Sequence, residues 1–383
     1  MTKALAPSHL AAGLVAVLVG FTSSVAIIFQ AAQAAGADSG QIGSWILALG
    51  LGMGLTSAGF SLWYKVPILT AWSTPGAALL VTALAGHSLA EAYGAFMLSG
   101  LLILLCGVSG LFARVMDRIP LALANALLAG ILLQFGLGLF SHLQASPWLV
   151  GPMLLCYLLA KQWLPRYAML LVLLTGCLVA WLQGGFGTGA VALALAMPQW
   201  QWPAFSWQGA FGIALPLFVV TMASQNLPGV AVLRSQGYQA PISPVLTGTG
   251  LANVLLAPLG GFAFNLAAIT AAICMGEQAD PEPRRRYKAA VAAGGFYLLA
   301  GLFGASIVAL FAAMPLALVM ALAGLALLGT LAASLKGALA DPHYLEPALV
   351  TFLATASGMT LWGVGSAFWG MVLGGICLLF KPR

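Results

Sequence analysis

The sequence is poor in charge. Only 6% of its 383 residues are Asp, Glu, Lys or Arg, with 14 basic residues against 8 acidic ones. A soluble domain carries about a quarter of its residues as charges, so an ordinary soluble fold is excluded. The formal charge of +6 raises a nucleic-acid partner, but no basic face supports one. Apart from Arg284, Arg285 and Arg286 with Lys288, the basic residues are scattered singly or in loose pairs between apolar blocks. Paired cysteines are also missing. The five, at 106, 156, 177, 274 and 377, form no Cys-x-x-Cys, which speaks against a disulfide framework or a metal site and for small core residues. His9, His87, His142 and His343 are equally dispersed, so no metal or cofactor is expected. There is no Gly-x-Ser-x-Gly elbow, no phosphate loop with its Lys-Ser/Thr and no His-Glu-x-x-His. A hydrolase or an ATP-driven pump is therefore not expected, and the chain does not read as an enzyme. Gly50-x-Gly52-x-Gly54 sits in an apolar run, where small residues serve close helix packing better than nucleotide binding.

What is abundant is apolar surface: 62% hydrophobic residues and a mean hydropathy of +1.03. Apolar stretches fall near 10–35, 43–63, 66–86, 89–112, 119–140, 147–163, 167–183, 209–233, 242–258, 261–276, 288–311, 314–335, 347–361 and 362–380. At about 20 residues per crossing, these predict an all-α polytopic membrane protein of fourteen spans. The basic residues test the count. With Lys3 in the cytoplasm and the sides alternating, Lys65, Arg114, Arg118, Lys161, Arg166, Arg234, Arg284 to Lys288, Lys336, Lys381 and Arg383 all fall on that side. Asp38 and Glu91 are left on the other. This is the positive-inside pattern, with both termini cytoplasmic. The cluster from Arg284 to Lys288 reads as a topological anchor that can touch anionic lipid. A cleaved signal peptide ending near Ala32-Gln33-Ala34 is the rival for the start. The apolar run is long for one, and its loss would spoil the even parity.

The chain also carries a weak internal echo. Gly54-Leu55-Thr56-Ser57 is matched by Gly250-Leu251-Ala252-Asn253, and hydroxyls recur at Thr22-Ser23-Ser24 and in Thr221-Met222-Ala223-Ser224. Two halves of seven spans must be inverted relative to each other, and a broken helix in each half is the sequence pointer to a secondary transporter's binding site. The first broken segment is Pro67-Ile68-Leu69-Thr70-Ala71-Trp72-Ser73-Thr74-Pro75-Gly76-Ala77-Ala78. Pro75 suits the first turn of a helix capped by Ser73 or Thr74, and the residues before it are pushed to extended backbone. The second is Pro258-Leu259-Gly260-Gly261-Phe262-Ala263-Phe264-Asn265-Leu266-Ala267-Ala268, with Asn265 as the expected cap. Two facing half-helix starts would suit an anion such as a carboxylate. The alternative is that the prolines only kink packed helices.

Trp72-Ser73-Thr74-Pro75-Gly76-Ala77-Ala78-Leu79-Leu80, Thr221-Met222-Ala223-Ser224-Gln225-Asn226-Leu227-Pro228-Gly229 and Gly365-Ser366-Ala367-Phe368-Trp369-Gly370 resemble the bacterial benzoate membrane transporter family. That family is similar in fold to the nucleobase and ascorbate transporters, and the resemblance runs over essentially the whole chain. It implies seven plus seven inverted spans in a bacterial inner membrane. Spans 1–4 (residues 1–112) and 8–11 (201–312) would form a core domain. Spans 5–7 (113–200) and 12–14 (313–383) would form a gate domain, with a homodimer through the gate. Spans three and ten would each hold a short strand before a half-helix.

The resemblance further implies uptake of benzoate with protons. The substrate site would comprise Trp72, Ser73, Thr74, Gly76 and Ala77, with Phe262, Phe264, Asn265 and Leu266, and Ser224, Gln225 and Asn226 beside them. Trp72, Phe262 and Phe264 are expected to pack on the substrate ring. The nucleobase relatives place carboxylates in spans eight and ten, where this chain has Gln225, Asn226 and Asn265. A substrate that brings its own negative charge would be repelled by a fixed carboxylate and not by amides, hydroxyls or backbone N–H groups. Glu91, with His87 close by, is the expected proton carrier, unless Glu91 is an interfacial loop residue or the proton rides on the substrate. A nucleobase, another organic anion, a Na⁺-coupled solute or a passive anion channel are the other readings.

Overall fold

The computed structural model describes residues 5–112, 120–185, 193–362 and 364–380, so Lys3, Arg114, Arg118, Lys381 and Arg383 lie outside the described residues. The chain runs α1 (Pro7–Ala34), α2 (Ser39–Tyr64), β1 (Thr70–Trp72), α3 (Thr74–Ala83), α4 (Leu89–Val108), α5 (Leu121–Ala145), α6 (Pro147–Trp163) and α7 (Ala168–Leu182). There follow α8 (Trp207–Arg234), α9 (Ile242–Leu256), β2 (Phe264–Leu266), α10 (Ile269–Met275), α11 (Tyr287–Leu302), α12 (Gly304–Ala313), α13 (Leu316–Ala338), α14 (Leu345–Ala356) and α15 (Ser366–Phe380). Helix starts follow ordinary chemistry. Asp38 accepts the Gln41 N–H while Gln41 Oε1 accepts the Asp38 N–H, both at 2.8 Å, closing a capping box on α2.

The count of fourteen full-length spans does not carry over to the helices. Among the described residues six helices are long and apolar enough to cross a membrane, namely α2, α4, α5, α8, α9 with its short continuation to Leu259, and α13. The number reaches eight if each of two bent pairs is one crossing: α1, bent by 44° between Thr22 and Ser24, and α11 with α12, bent by 64°. The helices α3, α7 and α15 are apolar but shorter. The other apolar stretches of the sequence hold α6, α10 and α14, of 17, 7 and 12 residues.

Small residues set the helix contacts. Lipid tails are as apolar as Leu, so helices in a membrane are held by close van der Waals approach. A Cβ on Gly50 would sit 2.5 Å from Gly301 Cα, and one on Gly54 2.8 Å from Gly294 O, so α2 and α11 meet backbone to backbone. A Cβ on Gly52 would run into the Phe264 ring. All three glycines of the 50–54 series therefore serve packing. Elsewhere α4 meets α9 where Gly100 faces Asn253, and α5 meets α13 where Gly324 lies against Leu139.

The two strands pair with each other, antiparallel, in the register Thr70↔Leu266, Ala71↔Asn265 and Trp72↔Phe264. The ladder extends at both ends, from Ser73 N–H to Ala263 O (3.0 Å) and from Ala267 N–H to Leu69 O (2.9 Å). Two helices hold the strands in place. Ser57 of α2 accepts the Thr70 N–H (3.0 Å) and donates to the Thr70 carbonyl (3.3 Å). Asn253 of α9 does the same for Phe264, accepting its N–H at 2.9 Å and donating to its carbonyl at 3.3 Å. Ser57 and Asn253 are the last residues of the two matched tetrapeptides, so the echo corresponds to a shared job: each bonds both backbone groups of the first residue of a strand.

The loop after α10 is tied to the start of α1. His9, 2% exposed, accepts the Ala6 N–H on Nδ1 and shares a 2.8 Å hydrogen bond between its Nε2 and Asp280 Oδ2. Arg286 is turned inward, donating to Asp280 O (2.8 Å) and Met275 O (2.7 Å), so this member of the basic cluster is a buried strut and not a solvated anchor. Arg285 pairs with Glu282 at 2.8 Å on the surface. Burial alone would raise the Asp280 carboxyl, but the Glu282 N–H at 2.8 Å, the His9 ring and the charge of Arg285 outweigh it and hold it below the usual carboxylate range. A carboxyl depressed in the folded state stabilises above its unfolded pKa, and that contribution is lost as pH falls through the folded value. The thermal midpoint of the purified protein is therefore expected to drop below about pH 4. Asp280→Asn should lower the midpoint at neutral pH and flatten that acid limb; a variant with the wild-type acid limb would refute the assignment.

Candidate functional site

The two broken segments and six helices line a cavity of about 420 Å³, within the ~300–1,000 Å³ range of small-molecule sites. β1 and the start of α3 contribute Ala71, Trp72, Thr74 and Pro75; the start of α10 contributes Ala267, Ala268, Ile269 and Thr270. Helix α8 adds Ser224, Gln225 and Pro228, and α1 adds Gly20, Thr22 and Ser24. Tyr297 of α11 and Met53 of α2 complete that side. Pro165, with Met169 and Leu170 of α7 and Ala326 and Thr330 of α13, closes the other. The lining is mostly apolar with a ring of hydroxyls and one amide. Among the described residues that line it there is no Asp, Glu, His, Lys or Arg.

Each contributor is bent into place by identifiable chemistry. In α1, Thr22 Oγ1 donates to Leu18 O (2.7 Å) and Ser24 Oγ to Gly20 O (2.9 Å), back-bonds of the kind that bend helices. Helix α8 widens to a π-turn over Met222–Asn226, with the Leu227 N–H reaching back to Met222 O. Pro228 has no N–H to offer the carbonyl four residues earlier, which accounts for the broken α ladder at this turn. The turn sends Ser224 and Gln225 to the cavity, while Asn226, fully buried, accepts the Leu266 N–H at 2.9 Å. In α3, Ser73 caps the helix: its Oγ takes the Gly76 N–H (2.9 Å) and its carbonyl the Ala77 N–H (2.8 Å). Pro75 has no N–H, so the Thr74 amide is the one in that turn that Ser73 does not take up.

The structure divides the residues anticipated from sequence into two groups. Trp72, Thr74, Ser224 and Gln225 line the cavity. Ser73, Gly76 and Ala77 lie behind them; a Cβ on Gly76 would sit 2.8 Å from Leu217 Cδ1, so the tight start of α3 needs glycine there. Phe262, Phe264, Asn265, Leu266 and Asn226 are fully buried and line no part of it. Phe262 packs among Trp45 (5.7 Å) and Phe96 (5.1 Å), and Phe264 against Gly52, so neither ring is available to a substrate in this cavity. Asn265 is not a helix cap: α10 begins after Ala268, and Asn265 Nδ2 donates to Ala263 O within the strand turn at 2.8 Å. Asn265 is fully buried and its Oδ1 has no partner.

Glu91 and His87 also lie outside the cavity. Glu91 occupies the third position of α4 and closes a capping box: its carboxylate accepts the Ser88 N–H and Oγ–H, both at 3.0 Å, with His87 3.8 Å away. Residues that sequence reasoning passed over are Tyr297, Thr270, Thr330 and Met53. A lone Tyr or Thr in an apolar helix gives no signal of which way it faces. The hydroxyls at Thr22 and Ser24 were visible, but only as part of the internal echo.

This architecture, two broken segments paired inside a helical membrane domain beside a cavity between the helices, defines a membrane transporter. The chain aligns over 97% of its length with the transmembrane domain of a cyanobacterium bicarbonate transporter, BicA, at a TM-score of 0.59 and 18% identity, covering 97% of that chain. It aligns over 99% with the murine Slc26a9 anion transporter in the inward-facing state, at 0.61 and 14%, covering 69% of that chain. Residues 3–380 match the family of the benzoate membrane transport protein, and the chain belongs to that family. It is 43% identical over 374 residues to the benzoate membrane transport protein of Acinetobacter baylyi and 50% identical over 371 to the inner membrane protein YdcO of Escherichia coli. Each alignment spans 97% of this chain and 95% of the relative.

Asn226→Ala would leave the Leu266 N–H buried without a partner, at a cost of about 1–3 kcal/mol, and should lower the thermal midpoint measurably. Glu91→Gln keeps a capping-box acceptor and is expected to leave both the midpoint and the pH profile of transport close to wild type. A shifted profile would return Glu91 to a coupling role.

Proposed function

We propose that the protein imports benzoate or a related aromatic carboxylate across a bacterial inner membrane by proton symport. The observation that carries this reading is the lining of the cavity: an amide, hydroxyls and the Thr74 amide at a helix start, beside Trp72, with no Asp, Glu, His, Lys or Arg among the described lining residues. An anion entering such a site meets donors and the positive end of the α3 dipole, and its ring meets apolar walls. The name of the Acinetobacter relative agrees with that chemistry. A proton travelling on the substrate's own carboxyl fits a lining without Asp, Glu or His.

In this reading the shorter segments complete fourteen passes as two inverted sevens, with both termini cytoplasmic. Residues 1–112 and 201–312 form the core that carries both strands, and 113–200 and 313–383 form the gate. The wall made by Met169, Leu170, Ala326 and Thr330 belongs to the gate, so movement of core against gate would open the cavity to one side and then the other.

The test is uptake of labelled benzoate into proteoliposomes with and without an inward proton gradient, followed by counterflow against unlabelled benzoate. Gradient-stimulated uptake and exchange are expected. Robust uptake of another solute without benzoate, stimulation by Na⁺ in place of protons, or uptake without exchange would each overturn the corresponding part. Gln225→Ala removes the only side-chain amide among the described lining residues; losing one hydrogen bond to a charged group costs about 1.5–3 kcal/mol, so its KM should rise tenfold or more.

A further inference from the structure

Among the described lining residues Trp72 is the one large flat side chain besides Tyr297, and it is held from three directions. Its strand pairs it with Phe264, and its backbone N–H donates to Met53 Sδ at 3.1 Å. Phe21 meets its ring edge-on, with centroids 4.8 Å apart and planes at 65°. Its indole Nε1–H donates to Ser24 Oγ at 2.7 Å, and Ser24 passes its own proton to Gly20 O at 2.9 Å. Ser24 therefore accepts from the tryptophan and donates to the carbonyl one turn back in its own helix, at the bend of α1. Both residues are buried, at 4% and 2% exposure. An indole N–H in such a place needs an acceptor, and Ser24 supplies one. The bond therefore fixes the ring's rotation and with it the shape of that wall.

We infer that Ser24 is a positioning residue that locks Trp72 as a flat wall and thereby makes the site discriminate a planar aromatic carboxylate from a puckered ring of similar size. The inference rests on the proposed uptake of aromatic carboxylates and deepens it. Ser24 acts through Trp72: without the hydroxyl the indole is free to turn, and a planar substrate loses a matched surface while a puckered one never had it.

Benzoate and cyclohexanecarboxylate, alike in charge and ring size, are the probes, with KM and kcat measured separately in proteoliposomes. Ser24→Ala is expected to raise the KM for benzoate about three- to tenfold, the range of one ordinary hydrogen bond. It should leave kcat within about twofold and the KM for cyclohexanecarboxylate unchanged. Ser24→Thr, which keeps the hydroxyl, should restore the benzoate KM. Trp72→Phe keeps an aromatic ring without the donor and should reproduce the loss, and the double variant should be no worse than Trp72→Phe alone. Equal losses on both acids, additive losses in the double variant, or no change in Ser24→Ala would overturn the positioning role while leaving the transport reading intact. A wild-type protein that takes up neither acid would overturn the transport reading, and this inference with it.

Discussion

Inside a bilayer no water is present to satisfy an amide, and each unmet N–H or C=O costs several kcal/mol. This structure departs from helical backbone at two places that sequence reasoning assigns to membrane depth, and the departures are safe only because they satisfy each other. The β1–β2 ladder, lengthened by Ser73 with Ala263 and Ala267 with Leu69, uses one broken segment to complete the other. Side chains close the remainder: Ser57 and Asn253 on the first residue of each strand, and Asn226 on the last of β2. Neither break could exist alone. The cavity is consequently a joint product of segments nearly two hundred positions apart in the chain.

That mutual dependence explains the pattern of buried polar residues. Asn226, expected from sequence at the site, is consumed by backbone, as are Ser57, Asn253 and, on Ile68, Ser61 of α2. The polar side chains that face the cavity are a different set: Thr22, Ser24, Thr74, Ser224, Gln225, Thr270, Tyr297 and Thr330 around Trp72. The lining keeps fixed charge out of a place where a fixed carboxylate would oppose an anion. Acidic groups are spent outside the cavity instead: Asp38 and Glu91 on helix caps and Asp280 on a loop clasp.

Much of this was legible beforehand. Pro75 after Ser73 and Thr74 announced a capped half-helix, because proline's missing N–H and the extended residues before it leave few alternatives. The glycine series in α2 announced close packing. What stayed hidden depends on long-range pairing. A three-residue strand has two faces, and only its partner decides which is which; Phe264 was anticipated toward the substrate and is turned against Gly52. Asn265 was anticipated as a cap because α10 was expected to start beside it, whereas the ladder keeps the chain extended through Leu266. Length also misled: hydropathy marks an apolar stretch, but a stretch that contains a strand and a turn has too few residues left for a full helix.

The widened turn at Met222–Asn226 amounts to one surplus residue in a helical screw. Were the same residues wound as unbroken α-helix, those beyond the turn would fall one position out of phase, about 100° around the screw. Gly229, whose missing side chain lets α8 lie directly on Leu266, would be carried off its seat and a bulkier neighbour brought onto it. The two ends of α8 are thus phased separately, one to α3 and α4 and the other to β2. The widened turn is what lets both ends keep their seats.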